Sequence, residues 1–340
     1  MPDVTSAPPD RSPVRAAPVS CSHTGFGVLR VTGADAMTFL HGQLSSDVKA
    51  LGAGDGQYWS YNSPKGRMLA NGVLWRAPAE RPGDGIVVLL AADLAETIRR
   101  RLAMFVLRAK VAIEDVTAQS TLIGIAGEGS DAAASAAFGV APRPSCAVAI
   151  GEHGTVFALR DGRLVAFAPA DDAPVLKAAL ARHTSAVDEA TWRFHGIAAG
   201  VANITAVTSD LFVPQQANWD LVGGVNFQKG CYPGQEIVAR MQYLGRLKER
   251  LFAFHCHALD VAPGARIYAQ TFGADQACGT VVNAAPDQAG RCALLAVVQI
   301  EAVESGELHV GAPDGAVLTQ RPLPYAVPTA APRAPRPQVG

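Results

Sequence analysis

The chain has 340 residues, yet several common features are scarce in it. Aromatic residues make up 6% against 49% hydrophobic residues overall, so its cores must be built mainly from Ala and Val. Neither sign of charge prevails: the net charge is -1. That argues against a dedicated nucleic-acid binder, which carries a basic domain or stripe. No apolar run approaches the ~18 residues that a membrane span needs. The six cysteines, at 21, 146, 231, 256, 278 and 292, form no C-x-x-C pair, so a structural zinc site is not indicated and reduced thiols in a reducing compartment are expected. No G-x-G-x-x-G or P-loop pattern is present, which removes the usual signal for a nucleotide cofactor. The opening "MPDVTSAPPDRSPVRAAPVS" lacks the apolar segment of a secretory signal. Rich in Pro and Ser, it reads as a disordered arm, and "PTAAPRAPRPQVG" at the other end reads the same way.

What is present has room for two or three domains. "FGVLRVT", "QYWSYN", "RMLANGVLWRA", "GIVVLLA" and "KVAIEDV" read as strands. Between them, "ADAMTFLHGQLSSDV" and "ADLAETIRRRLAMFVL" have helical spacing, the latter with Leu94, Ile98, Leu102 and Phe105 on one face. A second unit follows from near Ser120: strand "TLIGIAG", helix "SDAAASAAFG", a hairpin of "TVFALR" and "RLVAFAP", and helix "APVLKAALARH". Next come the "TWRFHGIAAG" helix and a long loop. From about Arg250 only short, closely spaced strands are read, without an intervening helix, as in a small antiparallel barrel. The fold class is therefore α+β with a C-terminal β-barrel. The expected divisions are an arm at 1–20, one α+β unit formed by 21–118 and 190–246, a second at 119–189, the barrel at 247–326 and a tail at 327–340.

The densest chemistry lies in "KGCYPGQE", residues 229–236. Pro233, Gln235 and Glu236 suit the first turn of a helix, Ile237, Val238, Met241 and Leu244 supply an apolar stripe, and Gly245 a C-terminal cap. Cys231 thus falls just before a helix N-terminus, where unpaired amides favour a thiolate, with the Lys229 ammonium close by. The same pattern also fits an inert cysteine filling a gap beside two glycines. Glu236 and Arg240 are spaced for an i, i+4 ion pair. In "HCH", strand alternation puts His255 and His257 on one face and Cys256 on the other, so three metal ligands do not converge.

"FQKGCYPGQEIVARMQYLGRLKERL" resembles the signature of the YgfZ family, folate-binding proteins related to the T-protein (aminomethyltransferase) of glycine cleavage. The likeness extends through "WRFHGIAAGVANI", "FVPQQANWDLVGGVNF", "VTGADAMTFLHGQLSSDV", "SPKGRMLANGVLWR" and "PLPYAV", about residues 25–326. It implies two intertwined ferredoxin-like units forming a disk around a folate site, plus the barrel. It also implies a tetrahydrofolate-binding accessory protein for assembly or repair of iron–sulfur enzymes, including radical enzymes that modify tRNA.

Carried over residue by residue, the functional motif is Cys231 with Lys229 and Glu236. The folate-contact positions are Trp192, Phe26, Gln235, Asn71 and Arg240. Phe26 stands where the family has another aromatic, and Pro233 where Thr is common. The partners implied are folate and iron–sulfur client or assembly proteins, with no direct nucleic acid and no membrane. The placement implied is cytoplasmic, or the mitochondrial matrix in a eukaryotic source. No resident metal is expected. For Cys231 the roles of transient cluster ligand, nucleophile and redox partner stay open. The T-protein's Asp-Asp pair is replaced by Ala70–Asn71, so glycine-cleavage aminomethyl transfer is not expected. The alternative is another folate-dependent one-carbon transferase or a demethylase. Arg99, Arg100, Arg101, Arg108 and Lys110 read as a solvated face, or as an attractor for a folate's polyglutamate tail.

Overall fold

A computed structural model describes residues 17–77, 85–140, 145–151, 154–245, 247–273, 276–287 and 289–328. The expected arm and tail therefore lie outside the described residues, apart from 17–20 and 327–328. The chain runs β1 (Val19–Cys21), β2 (Phe26–Thr32), α1 (Ala36–Gln43), β3 (Gly56–Asn62), β4 (Met68–Arg76), β5 (Ile86–Ala91), α2 (Ala95–Ala103) and β6 (Ala112–Asp115). It continues through β7 (Ser120–Ala126), α3 (Ser130–Phe138), β8 (Val148–Ile150), β9 (Thr155–Ala158), β10 (Leu164–Pro169), α4 (Ala173–Leu180), β11 (Ser185–Ala186) and α5 (Glu189–Ala198). After a long irregular stretch come α6 (Gln235–Tyr243), β12 (Glu249–Cys256), β13 (Arg266–Ala269), β14 (Ala277–Pro286), β15 (Cys292–Gln299), α7 (Ile300–Ser305), β16 (Leu308–Val310) and β17 (Ala316–Arg321).

Three sheets result. One has the order β3-β4-β5-β2-β6 and is antiparallel throughout. The second has the order β11-β1-β7-β10-β9-β8. The third closes as a barrel, β12-β15-β14-β13-β16-β17. The α+β class and the barrel are as the sequence predicts. The units interlock from the start of the described chain: β1 pairs with β7 and β11 in the second sheet before β2 opens the first. The first two sheets meet through Trp75, whose ring stacks on Phe157 at 5.5 Å and meets Phe167 edge-on at 5.8 Å. Such aromatic pairs contribute about 0.5–1.5 kcal/mol each beyond the area they bury.

Two local expectations change. Helix α2 ends at Ala103, so Leu94, Ile98 and Leu102 are buried while Phe105, beyond the last turn, is 47% exposed. The barrel is interrupted by a 3-10 turn at Gln270–Phe272 and by a short α-helix, α7, which contributes the fully buried Ala302.

Candidate functional site

The first sheet, the second sheet and the barrel converge on one cavity of about 870 Å³, counting its open mouth. Its walls come from Phe26 of β2, Tyr58 of β3 and Asn71 of β4, from Arg163 at the start of β10, from Trp192 and Arg193 of α5, from Trp219 in the long loop and from Asn283 of β14.

Helix α5 presents Trp192 because its start is fixed: Asp188 caps it, accepting from the Thr191 N–H at 2.8 Å. Such a cap contributes ~1 kcal/mol. Trp192 is almost fully buried. Its ring lies against Gly124 of β7, where a Cβ would stand 2.6–2.8 Å from three ring carbons. The Arg163 guanidinium stands 4.7 Å from the ring centroid. Arg163 is itself held by Asp161 through Nε at 2.9 Å and Nη2 at 2.8 Å.

Asn71 lines the cavity, but its amide is engaged with the chain. Nδ2 donates to the Ala202 carbonyl and Oδ1 accepts from the Ile204 N–H, both at 2.8 Å. Asn283 grips the same segment from the barrel side, accepting from Asn203 N–H at 2.9 Å and donating to its carbonyl at 2.8 Å. A register shift in β14 between Val281 and Asn283 accompanies this, consistent with a bulge re-aiming a side chain. Two asparagines thus clasp residues 202–204 as part of the cavity wall. The charged side chains on that wall are Arg163 and Arg193; among the described residues no Asp or Glu lines it.

The "KGCYPGQE" motif lies elsewhere. Helix α6 starts at Gln235 with Gly234 as its N-cap, so Pro233 precedes the cap instead of opening the first turn. Gly234 has φ +76°, which favours glycine, and a Cβ there would meet Gly66 Cα at 2.7 Å. The helix start is thereby seated on the turn between β3 and β4. Of the apolar stripe, Val238 is fully buried, but Leu244 is 84% exposed. Glu236 and Arg240 are both exposed and do not form the ion pair their spacing suggests; solvated pairs of this kind contribute little.

Lys229 is buried, and its Nζ donates to the carbonyls of His41 and Leu44, the latter at 2.6 Å. These are carbonyls at the C-terminal end of α1, which lack intrahelical partners, so the ammonium caps that helix. Burial pulls Lys229 down to about 8, against opposing attraction from Asp47 and Cys231. Cys231 is the exposed cysteine; Cys21, Cys256, Cys278 and Cys292 are buried and Cys146 is intermediate.

The sequence-predicted residues therefore divide in two. Trp192, Phe26 and Asn71 meet at the cavity; Cys231, Lys229, Glu236, Gln235 and Arg240 do not line it. Strand β4 links the two places, since its entry turn seats α6 and its middle lines the cavity. Asn71 lies five residues after Gly66, or roughly 16 Å of extended chain. Sequence reading missed Arg163 and Asn283, which come from distant segments without local signals. It also passed over Arg193, although this residue follows Trp192 directly, and His41 and Asp47 near the motif. "HCH" behaves as alternation predicts, with Cys256 facing the barrel core, and among the described residues no His, Cys, Asp and Glu group is placed to hold a metal.

No family model matches the chain. The tRNA-modifying protein YgfZ of Cronobacter sakazakii (strain ATCC BAA-894) is 30% identical over 307 residues, covering 89% of this chain and 91% of that protein. The tRNA-modifying protein YgfZ of Yersinia pestis (strain Pestoides F) is 28% identical over 305 residues, with the same coverage. Among solved structures, the glycine cleavage system aminomethyltransferase T from Bartonella henselae superposes with a TM-score of 0.72 over 94% of this chain and 88% of its own, at 14% identity. That likeness is one of fold. With 30% identity along 91% of that relative, the chain belongs to the YgfZ family.

Proposed function

We propose that this chain is a tetrahydrofolate-binding accessory protein that supports the assembly or repair of iron–sulfur enzymes, among them enzymes that modify tRNA, and that it works through the Cys231 thiol. The observation that carries the reading is the cavity: aromatic on one side through Trp192 and Phe26, cationic through Arg163 and Arg193, and without a lining carboxylate among the described residues. Aromatic walls suit a flat pterin. Guanidinium groups suit the carboxylates of a glutamate tail. The naming of the relatives as tRNA-modifying supports the link to tRNA-modifying clients.

The lack of a carboxylate bears on mechanism. An aminomethyl transferase of the T-protein kind uses a carboxylate on the folate; here the matching positions are the buried Ala70 and Asn71. Binding without that activation favours an accessory role over one-carbon transfer. The chain's own contributions are then to enclose the ligand, neutralise its anionic tail and present an exposed thiol at a separate surface.

The test is complementation. In cells lacking the protein, the wild-type chain is expected to restore the output of an iron–sulfur tRNA-modifying enzyme, read as modified nucleoside by mass spectrometry. Cys231→Ala is expected not to restore it. Full restoration by Cys231→Ala would remove the thiol from the proposal.

A further inference from the structure

We propose that His41, paired with Asp47, is the proton acceptor for the Cys231 thiol. The inference deepens the reading of Cys231 as the working group and rests on it. Three observations converge. First, His41 Nδ1 lies 3.0 Å from Asp47 Oδ1, an ion-pair distance without hydrogen-bond alignment, so Asp47 acts on the ring through its charge and leaves Nε2 to act. Second, Nε2 points at the motif: a Cβ built on Gly230 would stand 3.6 Å from it, and no other atom comes within 4 Å outside the adjoining residues. Cys231 is the next residue, and successive Cα atoms are about 3.8 Å apart, so the Cys231 Cα lies within about 9 Å of Nε2. Nε2 has no hydrogen-bond partner among the described residues. Third, the two segments are tied together, because Lys229 Nζ donates to the carbonyl of His41 itself and to that of Leu44. The Asn226 N–H donates to Ser45 O at 2.9 Å, and Asn226 Oδ1 accepts from Lys229 N–H at 3.0 Å. The histidine and the cysteine loop are therefore held as one unit.

The charged groups around the imidazole are Lys229, Asp47 and Lys49. Burial and Lys229 hold His41 below the ordinary histidine range, with Asp47 opposing and Lys49 adding to the depression. At neutral pH the ring is then uncharged, the form that accepts a proton. In the step proposed, the Sγ–H bond breaks, its electron pair stays on sulfur, and the proton bonds to Nε2. The Asp47 carboxylate balances the imidazolium charge, and the sulfur pair forms the new bond to an electrophile as its leaving group departs. The arrangement follows the general logic of a nucleophile, a base and a third group paired with the base.

The test is alkylation of the full chain by iodoacetamide from pH 6 to pH 10, with the Cys231 peptide quantified by mass spectrometry. It needs neither folate nor client, so its outcome is separate from that of the complementation assay. His41→Gln is expected to slow alkylation at pH 7 by about tenfold or more while leaving the rate at pH 10, where hydroxide ionises the thiol, within about twofold. Asp47→Asn is expected to give a smaller loss with the same pH signature. Thermal unfolding checks that each variant is folded. A His41→Gln profile that overlays the wild type, or one lowered equally at every pH, would overturn the proposal, as would an Asp47→Asn profile identical to the wild type.

Discussion

Asn71 offers a demanding check, because it is fully buried and lines the cavity. If the amide is a clasp on the cavity wall, its loss is a stability event before it is a binding event. The residue is fully buried and makes two 2.8 Å hydrogen bonds to main-chain groups of residues 202–204. Asn71→Ala leaves the Ala202 carbonyl and the Ile204 N–H without partners. At about 1–3 kcal/mol for each unsatisfied buried group, the cost comes to about 2–6 kcal/mol.

Asn71→Asp is more discriminating. One carboxylate oxygen still accepts from Ile204, but the other replaces a donor facing the Ala202 carbonyl. Burial beside a carbonyl disfavours the charged form and raises the aspartate above its ordinary value of about 3.9. A raised carboxyl binds protons in the folded state that the unfolded state has lost, so stability falls as pH rises through this window. Asn71→Asp is therefore expected to cost about 2–4 kcal/mol at pH 7 and to regain part of that by pH 5, at about 1.4 kcal/mol per pH unit. Urea denaturation of wild type and variant at both pH values, with unchanged m, measures it. A cost below about 0.5 kcal/mol at pH 7 would refute the clasp, because a side chain buried with two such bonds cannot be replaced so cheaply.

Other outcomes follow from the same geometry. Lys229 is lowered to about 8 against an ordinary value of 10.5, so the unfolded chain holds a proton that the folded chain has released between those values. Stability is therefore expected to rise with pH from about 8 to about 10.5 in a Cys231→Ser background, by an amount on the order of 3 kcal/mol, and Lys229→Met should flatten that rise. Gly124→Ala pushes a methyl into the Trp192 ring and is expected to cost about 1–3 kcal/mol by overpacking, with a shift in tryptophan emission as the ring moves. Gly234→Ala, at φ +76° and against Gly66, is expected to cost more than about 1 kcal/mol and to raise hydrogen exchange across α6 ahead of the barrel.

The extent to which the sequence disclosed this structure follows the range of the interactions involved. Strands such as "GIVVLLA" and the alternation in "RLFAFHC" declare themselves because burial on one or both faces leaves a local hydrophobic pattern. Cys231 stands out because glycines, a proline and charges crowd around it. Trp192 and Asn71 were placed through likeness to a family. Their partners were not legible: Gly124 matters because an indole packs on it, and Asn283 because a bulge turns it toward Asn203. Lys229 looked like a charge beside a thiol, yet its main contact is the end of a helix almost 190 residues earlier in the chain. Phe105 shows the converse, since it fits the α2 stripe but lies past the turn where the helix stops.

In the function proposed, one region binds folate while another presents the working thiol. Calorimetric titration of tetrahydrofolate into the wild-type chain, into Cys231→Ala and into Arg193→Met separates the two. Micromolar binding is expected for the wild type, unchanged binding for Cys231→Ala, and clear weakening for Arg193→Met, which removes a cation from the cavity wall. No binding by the wild type, or its loss on removal of the thiol alone, would contradict the proposal.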